Sequence, residues 1–129
     1  MNQQKEKHDV FISYCRHDGD YAAKLVKEHL ERWGLKVFVD LKVLSTEPDR
    51  FEKHIQAELK NSEDFLLLIT PETFNKKKMN DYEDLVIKEI KCALDERLNF
   101  ISVLTKQTMG LPNENVVPKG IRAFLNKSL

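Results

Sequence analysis

The sequence predicts an α/β domain: a flavodoxin-like three-layer sandwich, with helices covering both faces of a parallel sheet. Three observations lead there. Short apolar runs alternate with stretches of helical spacing, giving the order βαβαβαβ. The third run, "DFLLLIT", is apolar without alternation, as suits a strand covered on both faces. A chain of 129 residues is also long enough for one compact core. Parallel neighbours joined by helical crossovers suit the strand order 2-1-3-4, with a fifth strand normally following. No convincing fifth strand is legible. The last strand and helix are therefore expected to be missing or truncated, and the chain reads as a piece of a longer protein. Residues 1–8 form a polar tail, and 9–129 form the domain.

"DVFISY" (9–14) is a short apolar run that ends in small and polar residues, the first strand. Residues 19–34 are helical, with Tyr21, Ala22, Leu25, Val26, His29, Leu30 and Trp33 as the apolar stripe and Gly34 as the stop. "LKVFVD" (35–40) is the second strand, and the loop after it is punctuated by Pro48. A helix over 51–62 carries Phe51, Ile55 and Leu59 on one face. The third strand, 64–70, is stopped by Pro71. A polar stretch containing "NKKK" (75–78) reads as a solvated loop before a helix over 82–96. "NFISVL" (99–104) is the fourth strand, and 119–127 is a short possible helix.

Composition excludes several functions. Lys plus Arg and Asp plus Glu both number 21, so a general nucleic-acid binder, which carries a basic excess, is not expected. The longest apolar run, "FLLLI", is far too short to span a bilayer, and "MNQQKEKHD" is no signal peptide. Cys15 and Cys92 suit a reducing, cytoplasmic setting as free thiols. The four histidines lack the paired spacing of a metal site, and no glycine-rich phosphate loop is present. Cys15 two residues before His17 is a weak nucleophile pattern, because sequence proximity does not define a geometry.

The sharpest signal is a pattern violation. In "DLVIKEI" and its flanks, Tyr82, Leu85, Val86, Ile90 and Ala93 form one apolar helical face, with Glu89 near its middle. An inward carboxylate is costly unless it is compensated or lines a cavity. The bland alternative turns Glu89 to the helix edge, against Lys88 or Lys91. In an open parallel sheet, ligands bind beyond the carboxyl ends of the strands where strand order reverses, here between strands one and three. Ser13, Tyr14, Cys15 and Arg16 leave strand one at that point, and Thr70, Pro71 and Glu72 leave strand three. The inner face of the helix carrying Glu89 borders the same crevice. The bland alternative for Arg16 is a surface pair with Asp18 or Asp20.

These motifs resemble a known family. "HDVFISYCRHDGDYAAKLVKEHLERWGLKVFVD" resembles the first third of a TIR (Toll/interleukin-1 receptor) domain, and 40–51 is similar to that family's BB loop. "LLLITPETF", "DLVIKEIKCAL" and "NFISVL" resemble its later elements in the same order, so the resemblance covers about 9–125. It is best to the NAD-cleaving branch. It implies a catalytic glutamate at Glu89 and a pocket lined by Ser13, Tyr14, Arg16 and Phe51, with Arg16 able to pair with a diphosphate. NAD is then a substrate rather than a cofactor, cleaved to nicotinamide and ADP-ribose or its cyclic form, and no metal is implied. The implied partners are other TIR domains, met through the loop 40–51 as a homo-oligomer or filament, with a C-terminal sensor or oligomerisation domain in the full protein. The implied setting is innate immune or antiviral signalling in the cytoplasm. Three features depart from the pattern: Leu85 stands where many relatives have Trp, Cys15 where close relatives often carry a second Arg, and the loop 40–51 has Pro48 but no glycine and is slightly long.

The same resemblance admits a reading of another class, a non-catalytic adaptor acting through TIR–TIR contacts. Adaptors commonly lack the glutamate, so Glu89 favours catalysis. A nucleotide-binding sensor without turnover is a third reading. It would keep the pocket and release no nicotinamide.

Overall fold

The computed structural model describes residues 7–16, 18–39, 54–74 and 81–105, with the backbone alone for 81–84. Four strands and three helices alternate: β1 (His8–Tyr14), α1 (Asp20–Arg32), β2 (Val37–Val39), α2 (Gln56–Lys60), β3 (Ser62–Ile69), α3 (Asp81–Asp95) and β4 (Asn99–Leu104). The sheet order is β2-β1-β3-β4, and every pairing is parallel. This is the order that the sequence predicts; most boundaries move by a residue or two, while the helix expected over 51–62 is described as α2 (Gln56–Lys60), with 51–53 outside the described residues. The loop 40–51, the "NKKK" stretch, the possible helix 119–127 and the question of a fifth strand lie outside the described residues.

Strand alternation divides the core in two. Phe11, Phe65, Leu67, Ile69 and Phe100 point to one face, where they pack with Ile55 and Leu59 of the α2 segment and Val86, Ile90 and Ala93 of α3. Val10, Ile12, Tyr14, Leu66 and Leu68 point to the other face, beneath Ala23 of α1. Each strand contributes one phenylalanine to a row of rings across the first face. Phe38 and Phe11 lie 5.2 Å apart by centroid, Phe11 and Phe65 5.9 Å, and Phe65 and Phe100 4.8 Å. The register places these rings side by side, pairing Phe11 with both Phe38 and Phe65, and Phe65 with Phe100. Rings at such separations attract one another beyond simple area burial.

The predicted stripe on α1 needs correction. Ala22, Val26 and Leu30 are the residues that lie against the sheet, beside the fully buried Ala23. Tyr21 and Trp33 are 76% and 75% exposed, Leu25 is half-exposed, and His29 faces solvent with them. The Trp33 indole N–H donates to His29 Nε2 at 3.2 Å. Residues four apart stack along one line of a helix, so two apolar lines coexist on α1. Spacing alone does not say which line meets the sheet. Only the packing of α1 on β1 and β2 selects the line with small and β-branched residues, which allow close approach.

Gly34 stops α1 as the spacing predicts. Its φ of 86° is left-handed, and the Gly34 and Leu35 N–H groups donate to the Glu31 and Leu30 carbonyls. The end of α3 has the same bonding, from Arg97 to Leu94 and from Leu98 to Ala93. There Arg97 takes the left-handed position with φ 57°.

Candidate active site

The site is assembled at the carboxyl end of β1. Ser13 lies two residues beyond Phe11, so alternation turns it to the face covered by α3. On α3, Val86, Ile90 and Ala93 seat the helix on that face, and Glu89 falls between them. The two polar side chains therefore meet across the interface. Ser13 Oγ donates to Glu89 Oε1 at 2.6 Å, and both residues are 0% exposed. Arg16, just past the strand, turns its guanidinium inward. Nη1 lies 3.8 Å from Glu89 Oε1 and donates to the Tyr14 carbonyl at 2.8 Å, while Cζ sits 4.4 Å above the Tyr14 ring. Tyr14 itself is fully buried on the α1 face. The Arg16 side chain thus caps the end of β1, one side on the aromatic ring and the other on the carboxylate.

This arrangement answers the cost of an inward charge. A buried carboxylate is tolerated when donors and an opposite charge surround it. Ser13 supplies a short charge-assisted hydrogen bond, and Arg16 supplies the positive charge. The edge alternative for Glu89 does not hold, since Lys88 and Lys91 are exposed while Glu89 is not. Nor is Arg16 a surface residue: its side chain is 1% exposed.

A second polar cluster adjoins the first. Asp18 Oδ1 accepts from the Thr70 hydroxyl at 2.5 Å, and Oδ2 accepts from the Glu72 backbone N–H at 3.2 Å. The Thr70 N–H donates to Thr73 Oγ1 at 2.8 Å, and the two threonine hydroxyls are 3.0 Å apart. Between the clusters the chain turns tightly. The Gly19 N–H donates to the Cys15 carbonyl at 2.8 Å, and a Cβ on Gly19 would come 2.6 Å from that oxygen and 3.2 Å from the Tyr14 ring. Glycine is required there by close approach of backbone and ring.

Of the residues singled out by sequence, Ser13, Tyr14, Arg16 and Glu89 are brought together, and Phe51 lies outside the described residues. Cys15 is buried, and His17 is outside the description. Asp18, Thr70 and Thr73 were not expected as a unit. The available signal was two threonines around Pro71 at the end of an apolar strand, facing an aspartate at the end of a neighbouring one. Cys92, buried on α3, has its thiol pushed up from the ordinary value, first by burial and then by the Glu96 carboxylate. It is held in the neutral form and is a poor nucleophile. No group of three or more potential metal-binding side chains occurs among the described residues. A cleft of about 420 Å³ lined by His8, Glu31 and Lys36 among others opens at the amino-terminal end of the sheet. None of its lining residues belongs to the Glu89 cluster.

The fold and site together define a class: a parallel α/β domain with a buried carboxylate, hydroxyl and guanidinium at its topological switch point. The TIR domain family model matches residues 10–124. The chain therefore belongs to the TIR domain family. It is 32% identical over 115 residues to NAD(+) hydrolase tir-1 of Caenorhabditis elegans, covering 88% of this chain and 12% of that protein. It is 36% identical over 104 residues to NAD(+) hydrolase SARM1 of Danio rerio, covering 79% of this chain and 14% of that protein. The chain thus spans a small part of the relatives it matches. Its fold is similar to the TIR domain of the Toll-related receptor TRR-2 of Hydra magnipapillata, with a TM-score of 0.58, 22% identity, and coverage of 82% of this chain and 76% of that one.

Proposed function

We propose that this TIR domain cleaves NAD at the bond between nicotinamide and ribose, with Glu89 as the catalytic residue. The observation that carries the reading is Glu89 itself, a fully buried carboxylate set in the apolar face of α3 and held by Ser13 beside Arg16. Structure has been spent on keeping a charge at the switch point, where this fold class binds ligands. The similarity to proteins named NAD(+) hydrolases supports the substrate.

One carboxylate suffices for this chemistry. Cleavage of a glycosidic bond passes through an oxocarbenium-like state. Nicotinamide is cationic in NAD and leaves neutral, so its departure needs no general acid. The demand is for a fixed anion at the ribose, where positive charge develops. Ser13 then serves to orient the carboxylate rather than to touch the substrate. Arg16 places a positive charge beside Glu89 and is itself held by Tyr14. Water completes the reaction to ADP-ribose, or a ribose-directed nucleophile of the same molecule closes the cyclic form. Following the family, the domain works in a self-assembled state built through the loop 40–51, in innate immune or antiviral signalling.

The test is nicotinamide release from NAD, followed by chromatography at high protein concentration, for wild type, Glu89→Gln and Glu89→Ala. Wild type is expected to release nicotinamide, and both variants to lose the activity. If all three behave alike, the enzyme reading fails. A rate per protomer that stays flat as protein concentration rises through self-association would remove the assembly part alone.

A further inference from the structure

We infer that Asp18 is a positioning residue for the reaction: a clasp that fixes the Arg16 turn against the end of β3. The inference rests on the NAD-cleaving reading of the Glu89 site and extends it to a residue outside the buried cluster.

Two segments flank the switch point. Residues 15–19 leave β1 and carry Arg16, and residues 70–74 leave β3 on the way to α3 and Glu89. Asp18 joins them with both carboxylate oxygens, one taking the Thr70 hydroxyl and the other the Glu72 N–H. The far side is buried and internally bonded. Thr70 and Thr73 are 4% and 2% exposed, and the Thr73 N–H donates to the Thr70 carbonyl at 3.1 Å, closing the turn at Pro71. Ile69 just before it is pinned to Thr105 beyond β4 at 3.0 Å. Asp18 therefore ties the Arg16 segment to the bonded turn that follows β3.

On the near side, the Gly19 N–H donates to the Cys15 carbonyl and Arg16 Nη1 donates to the Tyr14 carbonyl. These bonds run within the turn and back to β1, and Asp18 adds a link to the segment after β3. Arg16 is two residues from Asp18, and its Nη1 stands 3.8 Å from Glu89 Oε1, so a small shift of the turn alters the charge felt by the carboxylate. Catalytic geometry is sensitive at this scale, since displacement by about 1 Å can cost about a hundredfold in rate. Asp18 faces the hydroxyl and amide donors of the β3 turn, and its chemistry here is that of a doubly accepting carboxylate.

The experiment compares Asp18→Ala, Thr70→Val, Thr70→Ser and the Asp18→Ala/Thr70→Val double variant in the nicotinamide assay, with thermal melting and amide hydrogen exchange of Glu72 alongside. Asp18→Ala and Thr70→Val are each expected to lower kcat by about ten- to a hundredfold. Thr70→Ser, which keeps the hydroxyl, is expected to retain near wild-type kcat. The double variant should be no slower than the worse single one, as for two ends of one link. Exchange at Glu72 should quicken in Asp18→Ala without a matching loss of global stability. Equal kcat in wild type and Asp18→Ala overturns the inference, as does a kcat loss that Thr70→Ser shares with Thr70→Val. A wild type that cleaves no NAD takes down the underlying reading as well, and that outcome is distinct from an active wild type matched by an equally active Asp18→Ala.

Discussion

Replacing Ser13 with alanine isolates the bond that fixes Glu89. The change removes one oxygen from a position with 0% exposure and takes the 2.6 Å donor from Glu89 Oε1. A hydrogen bond to a charged group is worth about 1.5–3 kcal/mol. Water cannot readily replace the donor, because both partners are buried and the Phe11 face is packed around them. Arg16 remains at 3.8 Å and keeps the charge from being stranded, which argues for the lower half of that range. At about 4 °C per kcal/mol for a domain of this size, the melting temperature should fall by roughly 6–9 °C. The assay is thermal unfolding of wild type, Ser13→Ala, Glu89→Gln and the double variant. In Glu89→Gln the acceptor is neutral, so removing the serine should cost only about 1 kcal/mol, leaving a coupling of about 1 kcal/mol. If Ser13→Ala melts within about 2 °C of wild type, or the two changes simply add, the serine does not hold the carboxylate and the site geometry argued above is wrong.

Arg16→Ala should destabilise by about 3–5 kcal/mol in chemical denaturation, because it leaves the Glu89 charge buried without its compensating cation; Arg16→Ala with Glu89→Gln should recover much of the loss. Trp33→Ala should change stability by less than about 0.5 kcal/mol, since the indole is 75% exposed and packs on His29 rather than on the core. Arg97→Gly should raise stability by about 0.5–1 kcal/mol by relieving a left-handed arginine at the end of α3, as thermal melts can show. Cys92 has a folded-state pKa raised above its ordinary 9.0, so the folded protein holds that proton more tightly than the unfolded chain. Its contribution to stability is full below about pH 9 and is lost as pH rises above it. Melts across that range, with and without Cys92→Ser, together with slow thiol labelling of the native protein near pH 8, check the assignment.

The sheet was legible because local signals agreed with each other. Apolar runs without alternation, helical spacing between them and stops at Gly34 and Pro71 all point to the same parallel order. The inward direction of Glu89 was legible for a related reason: Val86, Ile90 and Ala93 bury their side of α3, and 3.6-residue periodicity carries position 89 with them. Periodicity failed on α1, where two apolar lines compete and Tyr21, Leu25 and Trp33 proved to be on the solvent side. Period and spacing measure how apolar residues are distributed around a helix. They do not measure how closely each line can approach a neighbouring strand.

The sequence by itself therefore determined the parallel strand order and the inward place of one carboxylate, because unbroken apolar runs alternate with helical stretches and the 3.6-residue period sets one face of each helix. The tertiary structure alone decided what that carboxylate meets. Ser13 and Glu89 are 76 positions apart, and Asp18 and Thr70 are 52 apart. Such pairs form only when β1 and β3 lie side by side and α3 is laid across them. Strand alternation then sets which face each side chain takes, and the short reach of a hydrogen bond sets which partners it can hold.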